Sequence, residues 1–383
     1  MADLAPSPVR LPLVTYILCN RNEDGRIGLT IESLKAQDYP RYEVVVVDDA
    51  SDDDSREAIG KHIDGEPAFN TLYLDERRGP FAAALEGLKI ANGAFVSFVT
   101  PDEYLTPNHA SILVQLHLAV TQTTTVASGG LAKVASDGSL LTGSVNALAD
   151  DDDPLAHHED LRPSFLAPRL STVDEVLYAQ FRDITRAYHH SGERRRWDTG
   201  AANMYRRFVL ECVRPVGDIG SAYDFRPDQY FSLLSHLFGG SARCSIPVGT
   251  VRTRAEDYRL ESFDRKRPQA THLPPWECRL LMARAVLDRA SDLQWRVDGR
   301  ITKVLDRILG EPPNKKGYAG RDARDLLASH ATTLIDVLGR PAARRYLRNR
   351  LGRPMLRSTP EFSKGKAVQQ DRSGPPGKSA IGS

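Results

Sequence analysis

The sequence predicts a doubly wound α/β fold with a helical extension, and three observations carry that expectation. Strand-like and helix-like segments alternate through the first third of the chain. One strand, centred on Val44 to Val47, is an unbroken β-branched run, as expected of a parallel strand buried on both faces. Three strand ends carry polar side chains at corresponding places: Asn20-Arg21-Asn22, Asp48-Asp49 and Asp102-Glu103. In open α/β sheets ligands bind at such carboxyl ends.

Each element has its own signal. LVTYILC (13–19) reads as a strand, and IGLTIESLKAQ (27–37) as a helix with Ile27, Ile31 and Leu34 on one face. YEVVVVDDAS (42–51) is the second strand. DSREAIGKHI (54–63) is helical, with Asp54 or Ser55 as its cap. NTLYLD (70–75) is a short strand, PFAAALEGLKIANG (80–93) a helix closed by Gly93, and AFVSFV (94–99) a fourth strand. Beyond PNHASILVQLHLAV (107–120), a further helix, two strands flank the Asp137-Gly138 turn. Residues 145–170 are acidic and read as an exposed loop or lid; helices resume at 172–190. PDQYFSLLSHLFGG (227–240) opens on Pro and closes on Gly-Gly, as a helix does. Residues 275–352 read as helical throughout, and the tail from 358 as disordered.

Bulk composition excludes several classes. The 383 residues are 41% hydrophobic and 26% charged, which is ordinary globular composition. A net charge of +1 names no partner, but residues 339–383 hold a local +9 against −8 for the rest. Four scattered cysteines, Cys19, Cys212, Cys244 and Cys278, form neither a zinc motif nor a disulfide framework. No apolar run has the length of a transmembrane helix, and no signal-peptide core is visible, so a reduced, cytoplasmic setting is expected. CNRNEDGRIG lacks the G-x-G-x-x-G of a dinucleotide fold; a nucleotidyltransferase with a similar sheet stays open, although its usual Gly-rich, Arg/Lys-bearing phosphate loop is also absent.

Four blocks in order carry a resemblance. They are LVTYILCNRNEDGRIGLTIESLKAQDYPRYEVVVVDDASDDDS, RRGPFAAALEGLKIANGAFVSFVTPDEYLTP, NMYRRFVLECV and PDQYFSLLSHLFGG. Together, over residues 11–255, they resemble the family-two inverting glycosyltransferases, which have the GT-A fold. The resemblance implies a mixed GT-A sheet flanked by helices over 1–255, with 145–200 as the variable acceptor side. A helical extension over 256–357 and a disordered tail over 358–383 would follow.

It also implies a site. Asp48 and Asp49 would lie near the nucleobase and ribose, although the same loop offers Ser51, Asp52 and Asp54 as helix caps. Asn22, with Arg21 beside it, would line the donor pocket, or simply make a turn. Asp102 falls on the second Asp of the family's Asp-x-Asp motif and would reach a Mg2+ or Mn2+ ion. Thr100 stands at the first Asp, where a hydroxyl can bond ribose but is a poor ligand for a hard cation. Cys19 replaces a usual Pro, and Ala84-Leu85 an Arg-Asn pair. Asp228, with Asp224 second, would be the base that deprotonates the acceptor; otherwise it is a carboxylate favoured by a helix N-terminus. Arg252 and Arg254 would fold over the diphosphate, or guard a strand edge. The pairs His157-His158 and His189-His190 read as solvent-exposed rather than metal-binding.

The function so implied is transfer of a sugar from a nucleoside-diphosphate donor, a UDP-sugar, to a glycan or glycolipid hydroxyl. The alternative is a catalytically degenerate GT-A domain acting as a binding or scaffold module. The basic RPAARRYLRNRLGRPMLR segment suggests peripheral contact with an anionic membrane at its inner face. Nucleic acid is not expected, because no aromatic stacking pattern accompanies the basic residues.

Overall fold

The computed structural model describes residues 10–119, 124–135, 137–142, 185–190, 197, 200–220, 223–252, 274–297, 300–310 and 319–363. The chain divides into two compact units, Met1–Glu311 and Pro312–Ser383.

The first unit opens as the periodicity predicts. β1 (Val14–Asn20), α1 (Asp24–Lys35), β2 (Tyr42–Asp48), α2 (Ser55–Ile63), β3 (Phe69–Tyr73), α3 (Pro80–Ile90) and β4 (Phe95–Val99) follow one another. Their strands form a parallel block in the order β3-β2-β1-β4, with Cys19 opposite Val47 and Asn20 opposite Asp48. Val44 to Val47 are buried, as their β-branched run requires. Helix α1 buries Ile27, Ile31 and Leu34, its expected face. Its partner α2 differs from expectation at the cap. Neither Asp54 nor Ser55 supplies a side-chain cap; Asp53 Oδ1 accepts the Ser55 N–H at 3.0 Å instead.

Next come β5 (Glu103–Leu105), α4 (His109–Ala119), β6 (Val126–Val134), β7 (Leu140–Thr142) and β8 (Thr185–Tyr188). After a 3-10 turn at Gly200–Ala202 lie β9 (Asn203–Arg206), α5 (Arg207–Val213), α6 (Pro227–Gly239) and β10 (Ser241–Arg252). The sheet continues β4-β9-β6-β10-β5, with β7 beside β6 and β8 beside β10. Strand β9 runs antiparallel to β4 and β6, and β5 antiparallel to β10, so the sheet is mixed. The helix expected over 172–190 is corrected at its end. Thr185–Tyr188 is a strand because it pairs antiparallel with Ser241–Cys244, and that ladder outweighs local propensity. Residues 172–184, the 145–170 loop, His157, His158 and Arg254 lie outside the described residues.

Helices α7 (Trp276–Asp288), α8 (Ala290–Leu293) and α9 (Ile301–Leu309) close the first unit. α7 packs on α5 and α6 and buries Cys278, Met282 and Val286, so the predicted extension is divided between the two units.

The second unit holds α10 (Ala319–Ser329), α11 (Ala331–Leu338), α12 (Arg340–Leu351) and α13 (Arg353–Ser358). Leu327, Leu334, Leu347 and Leu356 are buried. Gly339 and Gly352, at φ 77° and 80°, break the helices on either side of α12. Residues 358–363, which composition assigns to the tail, form a turn at Pro360–Phe362 with Phe362 buried. Among the described residues no helix is long and apolar enough to cross a membrane.

Candidate active site

The ends of β1 and β2 place Asn20, Asn22, Asp48 and Asp49 together. Asp48 is fully buried, and its carboxylate accepts bonds from Asn20 Nδ2 (3.0 Å), Ser51 N (3.1 Å), Ser51 Oγ (2.5 Å) and Arg56 Nε (3.1 Å). Burial pushes its pKa up, but the Ser51, Asn20 and Arg56 bonds outweigh that and hold it below the usual carboxylate value. Asp49 reaches the other way. It accepts the backbone N–H of Arg78 at 2.6 Å and of Gly79 at 2.9 Å, tying β2 to the start of α3. Arg21 donates to the carbonyls of Asp49 and Ala50, closing the loop. Asn22 sits at φ 52° and exchanges hydrogen bonds with Asp52. Cys19, desolvated and beside Asp49, has its thiol pushed up to about 12.

The end of β4 turns sharply. Thr100 Oγ1 donates to Asp102 Oδ1 at 2.5 Å, and the Asp102 carbonyl accepts from Arg252 N at 2.8 Å. Arg252 thus joins the motif through its backbone, with its guanidinium 5.9 Å from the Tyr104 ring centre. Its strand is no free edge, since β10 is paired by β6 on one side and by β5 and β8 on the other. Glu103 turns inward and is 1% exposed. Its carboxyl accepts from Thr100 N at 3.0 Å and from Ala201 N at 3.0 Å. Burial, then the Asp102 charge, raises its pKa to about 7 against the pull of those amides and of Arg226.

The Gly200–Ala202 turn links that acid to the opposite side. Gly200 N donates to Asp228 Oδ2 at 3.1 Å, one residue before the amide that holds Glu103. Arg226 Nη2 donates to the same Asp228 oxygen at 3.1 Å. Burial works against the Arg226 charge, but Asp228, Glu103 and Asp102 outweigh it and hold the guanidinium above its usual value. Asp228 sits in the first turn of α6 and is 6% exposed, with Oδ1 outside both bonds. From below, His109 Nε2 lies 2.7 Å from the Ala201 carbonyl and Nδ1 3.0 Å from the Tyr16 hydroxyl.

Gly200 has no spare room. Its φ is +55°, and a Cβ there would lie 1.7 Å from Glu103 Oε1. Gly200→Ala is expected to destabilise by about 2–4 kcal/mol, combining left-handed backbone strain with overpacking. Gly138→Ala is the comparison, because Gly138 has a similar φ (+85°) and open space around it. Urea unfolding of both variants measures the difference, and equal losses would mean that the Glu103 contact carries no weight.

The structure therefore gathers Thr100, Asp102, Glu103, Arg226 and Asp228 around one turn, and Asn22, Asp48 and Asp49 around the neighbouring strand ends. Asp224, the second candidate base, is exposed. His189 and His190 lie against one another, 3.7 Å between ring centres and tilted by 49°, next to β8. Sequence reasoning missed Arg226 and the Gly200-Ala201 turn. Among the described residues no group of three His, Cys, Asp or Glu is placed to hold a metal ion. The donor set fits a divalent ion in a narrower way. Asp102 offers one carboxylate, Glu103 is engaged by two amides, and Mg2+ is commonly held by one or two carboxylates plus substrate phosphates.

Sheet and site define a mixed α/β domain with an acidic centre at the carboxyl ends of its parallel strands. Residues 15–132, just under a third of the chain, match the glycosyl transferase family 2 model. It is similar to EpsH of Bacillus subtilis (strain 168), at 22% identity over 249 residues, 65% of this chain and 61% of EpsH. It is also similar to the Escherichia coli protein named UDP-Glc:alpha-D-GlcNAc-diphosphoundecaprenol beta-1,3-glucosyltransferase WfaP. That likeness is 30% over 112 residues, 29% of this chain and 43% of WfaP. The chain thus spans less than two thirds of the length of these relatives. Among solved structures it resembles S. aureus TarS 1–349 in complex with UDP, at 17% identity and a TM-score of 0.48 over 89% of each chain.

Proposed function

We propose that this protein transfers a sugar from a nucleoside-diphosphate donor, a UDP-sugar, to a hydroxyl of a glycan or lipid-linked acceptor, with inversion. One observation carries the reading. Asp228, the candidate base, and the Asp102-Glu103 motif, far apart in sequence, converge on the adjacent amides of Gly200 and Ala201 and on Arg226. One-step inversion needs a base on the acceptor side and charge stabilisation on the diphosphate side. The family 2 match supports the same reading, and the name of WfaP supports a UDP donor and a lipid-linked acceptor.

In this reading each group has one task. Asp228 Oδ1 accepts the acceptor proton while Gly200 and Arg226 fix the other oxygen. Asp102 faces the diphosphate, with Thr100 orienting its carboxylate and Arg252 supplying positive charge nearby. Asp102, together with the donor phosphates, would hold Mg2+ or Mn2+, which would supply Lewis-acid stabilisation of the leaving group. Asn20 Oδ1, buried without a hydrogen-bond partner, is an acceptor suited to a base N–H beside Asp48. Asn22 and Asp49 act by holding the loop and the start of α3 around that pocket. The basic C-terminal helices provide weak contact with the inner face of an anionic membrane. No observation favours the binding-module alternative.

Calorimetric titration of UDP in manganese, then in EDTA, tests the donor site. Binding that requires metal is the expected result; failure of UDP, GDP and dTDP to bind in either condition would overturn the reading. Thr100→Asp restores a second carboxylate beside Asp102. It is expected to tighten manganese-dependent UDP binding by about tenfold, or about 1.4 kcal/mol. An unchanged affinity would show that Thr100 does not occupy a ligand position.

A further inference from the structure

We propose that a groove between α12 and α13 is a binding site for the phosphate of an anionic membrane phospholipid. Its volume is about 470 Å³, and its walls are Pro341, Arg344, Arg345, Arg348, Arg353, Leu356 and Arg357. All five arginines are exposed, and none makes an ion pair or hydrogen bond among the described residues. No carboxylate lines the groove.

The placement is costly for the fold alone. Arg344 and Arg348 stand i,i+4 on α12, and Arg353 and Arg357 i,i+4 on α13. Like charges at that spacing destabilise a helix. Gly352 then turns the chain so that the two rows face one groove instead of diverging. Arginines at the candidate active site and beside it are paired: Arg56 with Asp48, Arg78 with Glu86 and Asp218, Arg226 with Asp228. Five arginines left together answer to an anion from outside the chain.

The lining chemistry selects the source. A site for a free phosphate adds backbone amides or hydroxyls that fix its oxygens. This groove offers guanidinium forks and two apolar side chains, Pro341 and Leu356, with no hydroxyl or amide side chain. Guanidinium matches phosphate oxygens in bidentate fashion. An open, purely cationic groove with an apolar floor suits phosphodiesters presented side by side on a bilayer surface. The inference rests on the membrane contact proposed above and gives it an address.

The test is co-sedimentation of the full chain with phosphatidylcholine vesicles, with and without 30% phosphatidylglycerol. Sugar transfer is not needed for the readout. Wild type is expected to sediment only with the anionic vesicles, and to be released by high salt. At about fivefold per arginine, Arg353→Gln/Arg357→Gln should lower partitioning about 25-fold. Arg321→Gln/Arg324→Gln, which removes equal charge from α10, should have a much smaller effect. Thermal unfolding of both double variants shows whether they remain folded. If wild type ignores anionic vesicles, the membrane contact itself is wrong. If wild type binds and both double variants lose equally, membrane contact stands as diffuse charge and the groove is not a site. Millimolar pyrophosphate stabilising wild type but not Arg353→Gln/Arg357→Gln, with no vesicle binding, would overturn the lipid assignment in favour of a soluble phosphate ligand.

Discussion

Asp228→Asn is expected to lower kcat by about 10²- to 10⁴-fold, the range of a lost general base, while UDP affinity changes less than twofold. The substitution keeps the volume and leaves an amide oxygen that can accept from Gly200 N, so the turn that also holds Glu103 stays in place. What it removes is the oxygen that takes the acceptor proton. KM for the donor should hold, because Asn20, Asp48 and Asp102 are untouched. Asp224→Asn, four residues upstream and exposed, is the matched control and should leave kcat unchanged. Unaltered turnover in Asp228→Asn, or a loss shared equally with Asp224→Asn, would remove Asp228 from the base role. A loss of UDP binding would instead mean that Asp228 acts by holding the fold of the site.

The parallel half of the sheet was readable because its signals are local. Val44 to Val47 are buried on both faces wherever β2 sits, and α1 needs one apolar stripe. The antiparallel strands were harder. β5, β8 and β9 are three or four residues each, and their pairing is decided by β10, β6 and β4 rather than by their own sequence. Thr185–Tyr188 shows the consequence: a segment read as helix becomes a strand because Ser241–Cys244 lies beside it.

The site divides in the same way. Asp48, Asp49 and Asp102 stood out as candidates because acids recur at corresponding strand ends, and Asp228 only through the family resemblance. The structure adds how heavily the first two are engaged: Asp48 by Ser51, Asn20 and Arg56, and Asp49 by the amides of Arg78 and Gly79. Arg226 escaped notice because Arg-Pro-Asp reads as an ordinary helix opening. Its meaning comes from carboxylates at 102, 103 and 228, which only the fold brings around it. Gly200 escaped because a lone glycine carries no signal until the atom it would strike is known.

The same buried groups make stability depend on pH in a way that one substitution should expose. Burial lowers His109 to about 4 and His117 to about 3, from 6.5 in each case. Below pH 6.5 the unfolded chain therefore takes up two protons that the folded chain refuses, and stability falls with acid. Glu103 has the opposite sign. Its folded value, about 7 against 4.5, means that between those limits the folded state holds a proton the unfolded state has lost. Its contribution is present below pH 4.5 and is lost as pH rises through 7. Each unmatched proton tilts the curve by about 1.4 kcal/mol per pH unit. Between pH 4.5 and 6.5 the net is one proton, a rise of about 3 kcal/mol, followed by a shallow fall towards pH 7. His189, lowered by burial and then by Arg300, adds in the same sense as the other two histidines. The lowered acids, Glu32 and Asp48, Asp53, Asp137 and Asp218, act only below their ordinary values of 4.5 and 3.8. Glu103→Gln removes the opposing contribution, so the rise between pH 4.5 and 6.5 should nearly double and the fall towards pH 7 should vanish. Urea unfolding at half-unit pH steps measures both curves. The absolute stability of the variant also reflects its altered bonds to Thr100 and Ala201, but the slope reports protons alone. Parallel curves for the two proteins would mean that Glu103 titrates alike folded and unfolded, and that the acid holding the Gly200-Ala201 turn is ionised at neutral pH.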